Sequence, residues 1–202
     1  MVTGTKLEAL LGKIRRALDD RGAAEVAETL FREAIAEAQR LGIVSAYLHF
    51  VLAGALDRMG KLDMAFDELK KAVQADPLAL PVRNAFQDVA ARLRAALADP
   101  ARAADDADIP RIYGVLVEAG QADLETHLVM VRFALATAEL ERARTLAEAI
   151  TTLFPAAREA WEVLARVARA QGDGATAAKA DAEAVGVQVP TPLFGVTGKA
   201  IA

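Results

Sequence analysis

Apolar residues recur at three- and four-residue spacing along most of the chain, and the runs are separated by short breaks rich in glycine, proline and aspartate. That period predicts helices. Val82 to Ala98 forms one long amphipathic run with Phe86, Val89, Leu93 and Leu97 on one side, and Ile109 to Ala119 a second, with Ile112 and Leu116 on its apolar side and Gly120 closing it. Between them the segment DPARAADDADIP, Asp99 to Pro110, has no apolar period. It is expected as a long connection, either a loose surface loop or a hinge or binding loop.

The stretch Ala46 to Ala79, AYLHFVLAGALDRMGKLDMAFDELKKAVQADPLA, shows how the breaks are organised. Gly60 can take the positive φ that ends a helix, Ala65 and Ala72 let two helices approach closely, and Pro77 cannot continue a helix. With Leu52, Ala53 and Leu69 at the remaining apolar slots, the stretch resembles the tetratricopeptide repeat family, a helix, turn, helix unit of about 34 residues. His49 and Leu56 stand where tryptophan and tyrosine are usual. Glu8 to Leu41 fits the same frame, with Gly22 at the turn and Ala27, Phe31 and Ala34 at contact slots; its second helix runs on towards Gly42. Leu124 to Ala157 brings Ala143 and Pro155 into register. In the last unit, from Arg158, Trp161 fills the tryptophan slot, Gly172 and Asp173 the turn, and Ala177 and Ala184 the small slots.

The resemblance implies an all-α, right-handed α-solenoid of about five helical hairpins, the central one irregular. Its single superhelical domain spans 1–189, with repeats near 8–41, 46–79, an irregular 80–123, 124–157 and 158–189, and an extended tail follows over 190–202. A split into two small domains at the centre would leave two hairpins in each half, fewer than the three or so a solenoid usually needs.

Composition supports helices: alanine, leucine, glutamate and arginine are abundant and aromatics make up only 5%. The net charge of -4, with both signs interspersed, leaves no broad basic face for phosphates, so nucleic acid is not an expected partner. Cysteine is absent, which excludes a disulfide framework and thiol catalysis. The first residues, MVTGTKLEALLGKIRR, lack the continuous apolar core of a secretion signal, and no run reaches the roughly 18 apolar residues of a membrane span. A cytoplasmic location is expected.

Candidate chemistry is sparse. His49 and His127 lie inside predicted helices at equivalent slots, without the spacing of a metal site. Asp105, Asp106 and Asp108 lack the glycine and distal glutamate of a calcium loop, and Gly172-Asp173-Gly174 lacks the lysine-serine pair of a phosphate loop. No enzyme activity, metal or cofactor is therefore expected.

The resemblance implies instead a groove, lined by the first helix of each unit, that receives a protein or peptide. Carrying the groove slots across selects Arg16 and Asp19; Tyr47, Phe50, Asp57 and Arg58; Glu125, Leu128 and Arg132; and Glu162, Arg166 and Arg169. Tyr47 and Phe50 are either binding anchors or packing against the preceding helix. The three arginines either form a basic strip or pair with Glu125, Glu159 and Glu162. Gly12 stands where the clamp for a chaperone's C-terminal carboxylate needs lysine. The expected function is an adaptor or scaffold; the alternative is a self-assembling component, a homo-oligomer joined through its uncapped last repeat and tail. Leu193 and Phe194 are the tail's contact candidates, and the tail either folds back as a cap, inserts into a neighbouring groove, or orders only with a partner.

Overall fold

In the computed structural model, which describes residues 5–19, 24–43 and 46–187, ten helices follow one another and no strand occurs among the described residues. They are α1 (Thr5–Asp19), α2 (Ala24–Arg40), α3 (Ala46–Arg58), α4 (Leu62–Ala75), α5 (Leu80–Leu97), α6 (Ile109–Glu118), α7 (Leu124–Ala136), α8 (Leu140–Leu153), α9 (Arg158–Ala170) and α10 (Gly174–Gly186). The chain is an all-α helical repeat. It divides into two compact units, residues 1–126 and 127–202, with the division inside α7.

The helices stop where backbone geometry makes them stop. Gly60 and Gly172 adopt φ of 74° and 77°, and the next amide reaches back to close the helix end: Lys61 N donates to the Leu56 carbonyl at 3.0 Å and Asp173 N to that of Ala168 at 2.9 Å. The corresponding slot of the fourth repeat, 124–157, holds Ala138, which takes φ of 59° and makes the same closure, Glu139 N to the Ala134 carbonyl at 2.8 Å. Backbone geometry therefore repeats even where glycine does not. Two helix starts are fixed in the same way: Asp123 and Asp173 each accept from the backbone amide and the hydroxyl of the threonine three residues on, Thr126 and Thr176.

In the first unit α1 packs on α2, α2 on α3, α3 on α4, α4 on α5, and α5 on α6. Ala65 and Ala72 are fully buried, so α3 and α4 meet without large side chains between them, while Leu52, Leu56 and Leu69 fill the interior alongside. Phe66 of α4 and Phe86 of α5 stack at 4.7 Å between ring centroids and 17° between planes, which fixes how α5 lies on the hairpin. In the second unit α8 packs on α9 and α9 on α10, and half of the buried apolar residues are alanines, among them Ala143, Ala147, Ala160, Ala165, Ala168, Ala177, Ala180 and Ala184.

The connection after α5 is built rather than loose. Asp99 accepts from the Ala101 amide and Asp106 from the Asp108 amide, both at 2.9 Å, while Arg102 donates to the Ala96 carbonyl at 3.1 Å and to Asp106 at 2.8 Å. Asp106 thus belongs to a local turn and ion pair. Arg111 on α6 then bonds Asp63 on α4, tying the far side of the connection to the hairpin.

Candidate functional site

Tyr47, Phe50, Gly54 and Asp57 follow one another at three- and four-residue steps, so α3 presents them as a single stripe. Along that stripe the first unit opens a cavity of about 330 Å³, lined by Phe50, Val51, Gly54, Asp57 and Arg58 of α3, Leu69 of α4, and Asp88 and Val89 of α5. Phe50, Asp57 and Arg58, selected by repeat register, are brought together on this one opening. Tyr47 does not line the cavity and is 72% exposed, so packing holds little of its ring.

The floor is apolar and the rim is charged. Asp57 Oδ2 accepts from Arg92 Nη1 at 2.8 Å, and the same nitrogen lies 3.8 Å from Asp88 Oδ2. Asp57 Oδ1 is buried with no hydrogen-bond partner, the only such side-chain atom among the described residues. Arg58 Nη1 lies 4.0 Å from where a Cβ on Gly54 would stand, so its guanidinium reaches back along α3 over the glycine.

Behind the stripe, on the other side of α3, lies a second polar group. His49 Nδ1 meets Glu68 Oε2 at 2.6 Å with both residues buried, and Lys71 donates to Glu68 Oε1 at 2.8 Å. Burial works against the charge of Glu68, but the hydrogen bonds from Lys71 and His49 outweigh it and hold its carboxyl below the ordinary value. Arg32 of α2 stands 3.8 Å from Glu68 and 3.0 Å from Glu28, which also accepts from Lys61 at 3.0 Å. Those hydrogen bonds from Lys61 and Arg32 lower the Glu28 pKa. A chain of alternating charge thus joins α2 to α4, and the His49–Glu68 hydrogen bond carries it on to α3.

Repeat register places His49 between paired helices but does not single out Glu68. The signal was present: Glu68 occupies the slot that holds Leu30, Leu146 and Ala180 in the other units, and a carboxylate in an apolar slot needs a buried partner. His127, the register equivalent of His49, instead lies with its ring 5.9 Å from that of Phe154.

In the second unit the candidates are scattered over separate contacts. Leu128 is only 8% exposed, because α7 is apolar around most of its circumference, and Val129, Met130 and Val131 are buried beside it; Leu128 is therefore an interior side chain here, not an exposed groove side chain. Arg132 and Arg166 are exposed. Arg169 pairs with Asp181 of α10, and Glu162 accepts from Arg158 at 2.6 Å, so neither makes the expected pair with the other. Trp161 donates to the Pro155 carbonyl at 2.9 Å and clips the turn ahead of α9. Arg16 is exposed on α1, whereas the Asp19 side chain, Gly22, Leu193 and Phe194 lie outside the described residues.

Among the described residues no cluster of three histidine, aspartate or glutamate side chains is arranged to hold a metal ion, and no helix is long and apolar enough to cross a membrane.

No protein-family model and no curated protein matches the sequence. Solved structures similar to the chain include MamA from Desulfovibrio magneticus RS-1, at 16% identity over 90% of this chain and 94% of that one, with a TM-score of 0.40. A tetratricopeptide repeat protein from Parabacteroides merdae ATCC 43184 is similar at 14% identity over 93% and 82%, TM-score 0.41. BtubC from P. vanneervenii is similar at 16% identity over 95% of both chains, TM-score 0.35. The fold rests on the helix order and turn geometry of the chain itself.

Proposed function

We propose that this protein is a protein-interaction scaffold, and that the α3 stripe of the first unit receives an extended or helical segment of a partner protein. The observation that carries the reading is the meeting of Phe50, Asp57 and Arg58, three register-selected positions, on one cavity with an apolar floor and a charged rim. A side chain of the partner would enter against Phe50, Val51, Leu69 and Val89 and lose water there, while the rim orients the segment. Tyr47, one turn earlier, extends the contact with an amphipathic ring already largely free of the fold. Arg132, Glu162, Arg166 and Arg169 would offer the second unit's charged face to the same kind of partner, adding orientation more than affinity.

A library of random displayed peptides panned against the full chain tests the reading. Peptides are expected to enrich, and Phe50→Ala is expected to weaken them about tenfold or more, the size of a central anchor's loss, with helical circular dichroism unchanged. Tyr47→Ala is expected to cost less. No enrichment, or peptides indifferent to Phe50→Ala, would count against the α3 stripe.

A further inference from the structure

We propose that the cavity on the α3 stripe selects a lysine or arginine side chain of the partner, its aliphatic stem on the apolar floor and its charged head on Asp57 and Asp88. The inference rests on the interaction reading above and specifies the chemistry of its ligand.

The two carboxylates on the rim are directly paired with one cation. Asp57 and Asp88 both line the cavity, and between them they share a single guanidinium nitrogen, Arg92 Nη1, which is within hydrogen-bond length of Asp57 Oδ2 alone. Two carboxylates present four acceptor oxygens and carry twice the charge of the one arginine that faces them. Asp57 Oδ1 is the oxygen this arrangement leaves over: buried, and without a donor. Buried carboxylate oxygens are rarely left so; a charged head arriving in the cavity meets Asp88, whose side chain is 70% exposed, and the exposed part of Asp57, and a small turn of the Asp57 carboxylate would bring Oδ1 into the same contact.

Arg58 is the other cation lining the cavity, and it does not fill the gap. Its Nη1 lies over Gly54, one turn back along α3 from Asp57, and Arg58 makes no hydrogen bond or ion pair among the described residues. From there it can donate to a main-chain carbonyl of the bound segment. The apolar floor formed by Phe50, Val51, Leu69, Ala85 and Val89 suits the methylene stem of a lysine or arginine, which buries its carbons while keeping its head at a polar rim.

The probe is a set of degenerate peptide pools identical except at one fixed position, which holds lysine, arginine, acetyl-lysine, norleucine or glutamate, titrated against the full chain by fluorescence anisotropy. Lysine and arginine pools are expected to bind about fivefold tighter than acetyl-lysine and norleucine, roughly the share of one charge-assisted contact. The preference of lysine and arginine over norleucine should vanish in Asp57→Asn/Asp88→Asn. Arg92→Met removes the competing internal cation and is expected to strengthen the lysine preference, an effect that a merely structural role for Arg92 would not produce. Equal binding of lysine and acetyl-lysine, a preference for glutamate, or a lysine preference weakened by Arg92→Met would overturn the inference while leaving a peptide-binding cavity. Binding of no pool at all would overturn both.

Discussion

The α3–α4 hairpin of the first unit and the α9–α10 hairpin of the second are built on one register. Ala65 and Ala72 correspond to Ala177 and Ala184, all buried, and these slots set how closely the paired helices approach. Between them the interiors diverge. Glu68 corresponds to Ala180 and His49 to Trp161, so one hairpin closes over a buried histidine–glutamate hydrogen bond and the other over methyl groups, with its large aromatic turned to a carbonyl at the preceding turn. The difference teaches that the repeat fixes helix spacing and leaves the intervening slot open to either chemistry. The consequences are unequal: the polar interior depends on both hydrogen-bonding partners being present, whereas the alanine-rich interior depends on volume.

Removing one partner of the buried His49–Glu68 pair is expected to have the largest effect. Glu68→Ala leaves His49 facing a buried gap while half-exposed Lys71 turns to water, and is expected to destabilise the first unit by about 3 kcal/mol, the scale of breaking a buried pair. His49→Leu/Glu68→Leu should recover most of that loss, since Leu30 and Leu146 already occupy the same slot in other units. Hydrogen exchange at α3 and α4 amides, measured alongside urea unfolding, reads the effect in the right hairpin. A double variant no better than Glu68→Ala would mean that the slot tolerates only the pair.

Acid should separate the two hairpins in the same sense. The folded Glu68 carboxyl sits below its ordinary value of 4.5. As pH falls, the unfolded chain therefore takes up the proton first, so the stabilisation is present above that value and is lost as pH falls through the folded one. Protection of α3 and α4 in the wild type is expected to fall with pH over that range more steeply than in His49→Leu/Glu68→Leu. Equal slopes would remove Glu68 as the source. The α9–α10 pair, with no buried carboxylate between its helices among the described residues, should respond less.

The converse experiment loads volume onto the alanine interior. Ala180 is buried at the slot where leucine occurs elsewhere, and Ala180→Leu is expected to cost about 2 kcal/mol by overpacking. Exchange at α9 and α10 amides measures it; no loss would show that this hairpin has room that its alanines do not fill.

Much of this architecture was legible in the sequence, for a physical reason. Helix period, turn slots and small contacts are local, and they located α5, α6, the end of α2 near Gly42 and the turns at Gly60 and Gly172. The candidate site was legible in part: register chose Phe50, Asp57 and Arg58, but the cavity also needs Asp88 and Val89 from α5, which lies outside the regular repeat. Register could not report that α7 buries Leu128, that Arg169 turns to Asp181, or that Asp99 and Asp106 fold their segment into turns. Each of those depends on which partner a flexible or apolar side chain finds in three dimensions.

The smallest effect tests whether turn geometry or residue type is the conserved element of the repeat. Ala138 holds φ of 59° at the slot where Gly172 holds 77°, in the same unit and with the same closing hydrogen bond. A left-handed alanine brings its Cβ against its own carbonyl, at about 1 kcal/mol, while glycine gives part of that back through the entropy of the unfolded chain. Ala138→Gly is therefore expected to stabilise the second unit by about 0.5 kcal/mol, and Gly172→Ala to destabilise it by about 1 kcal/mol. A Cβ added at Gly172 would meet nothing within 4 Å, so the loss there is backbone strain alone. Paired urea midpoints of the two variants decide it: opposite shifts assign the turn to backbone geometry, whereas a loss in both would mean that the Ala138 methyl makes a contact worth more than the strain it carries.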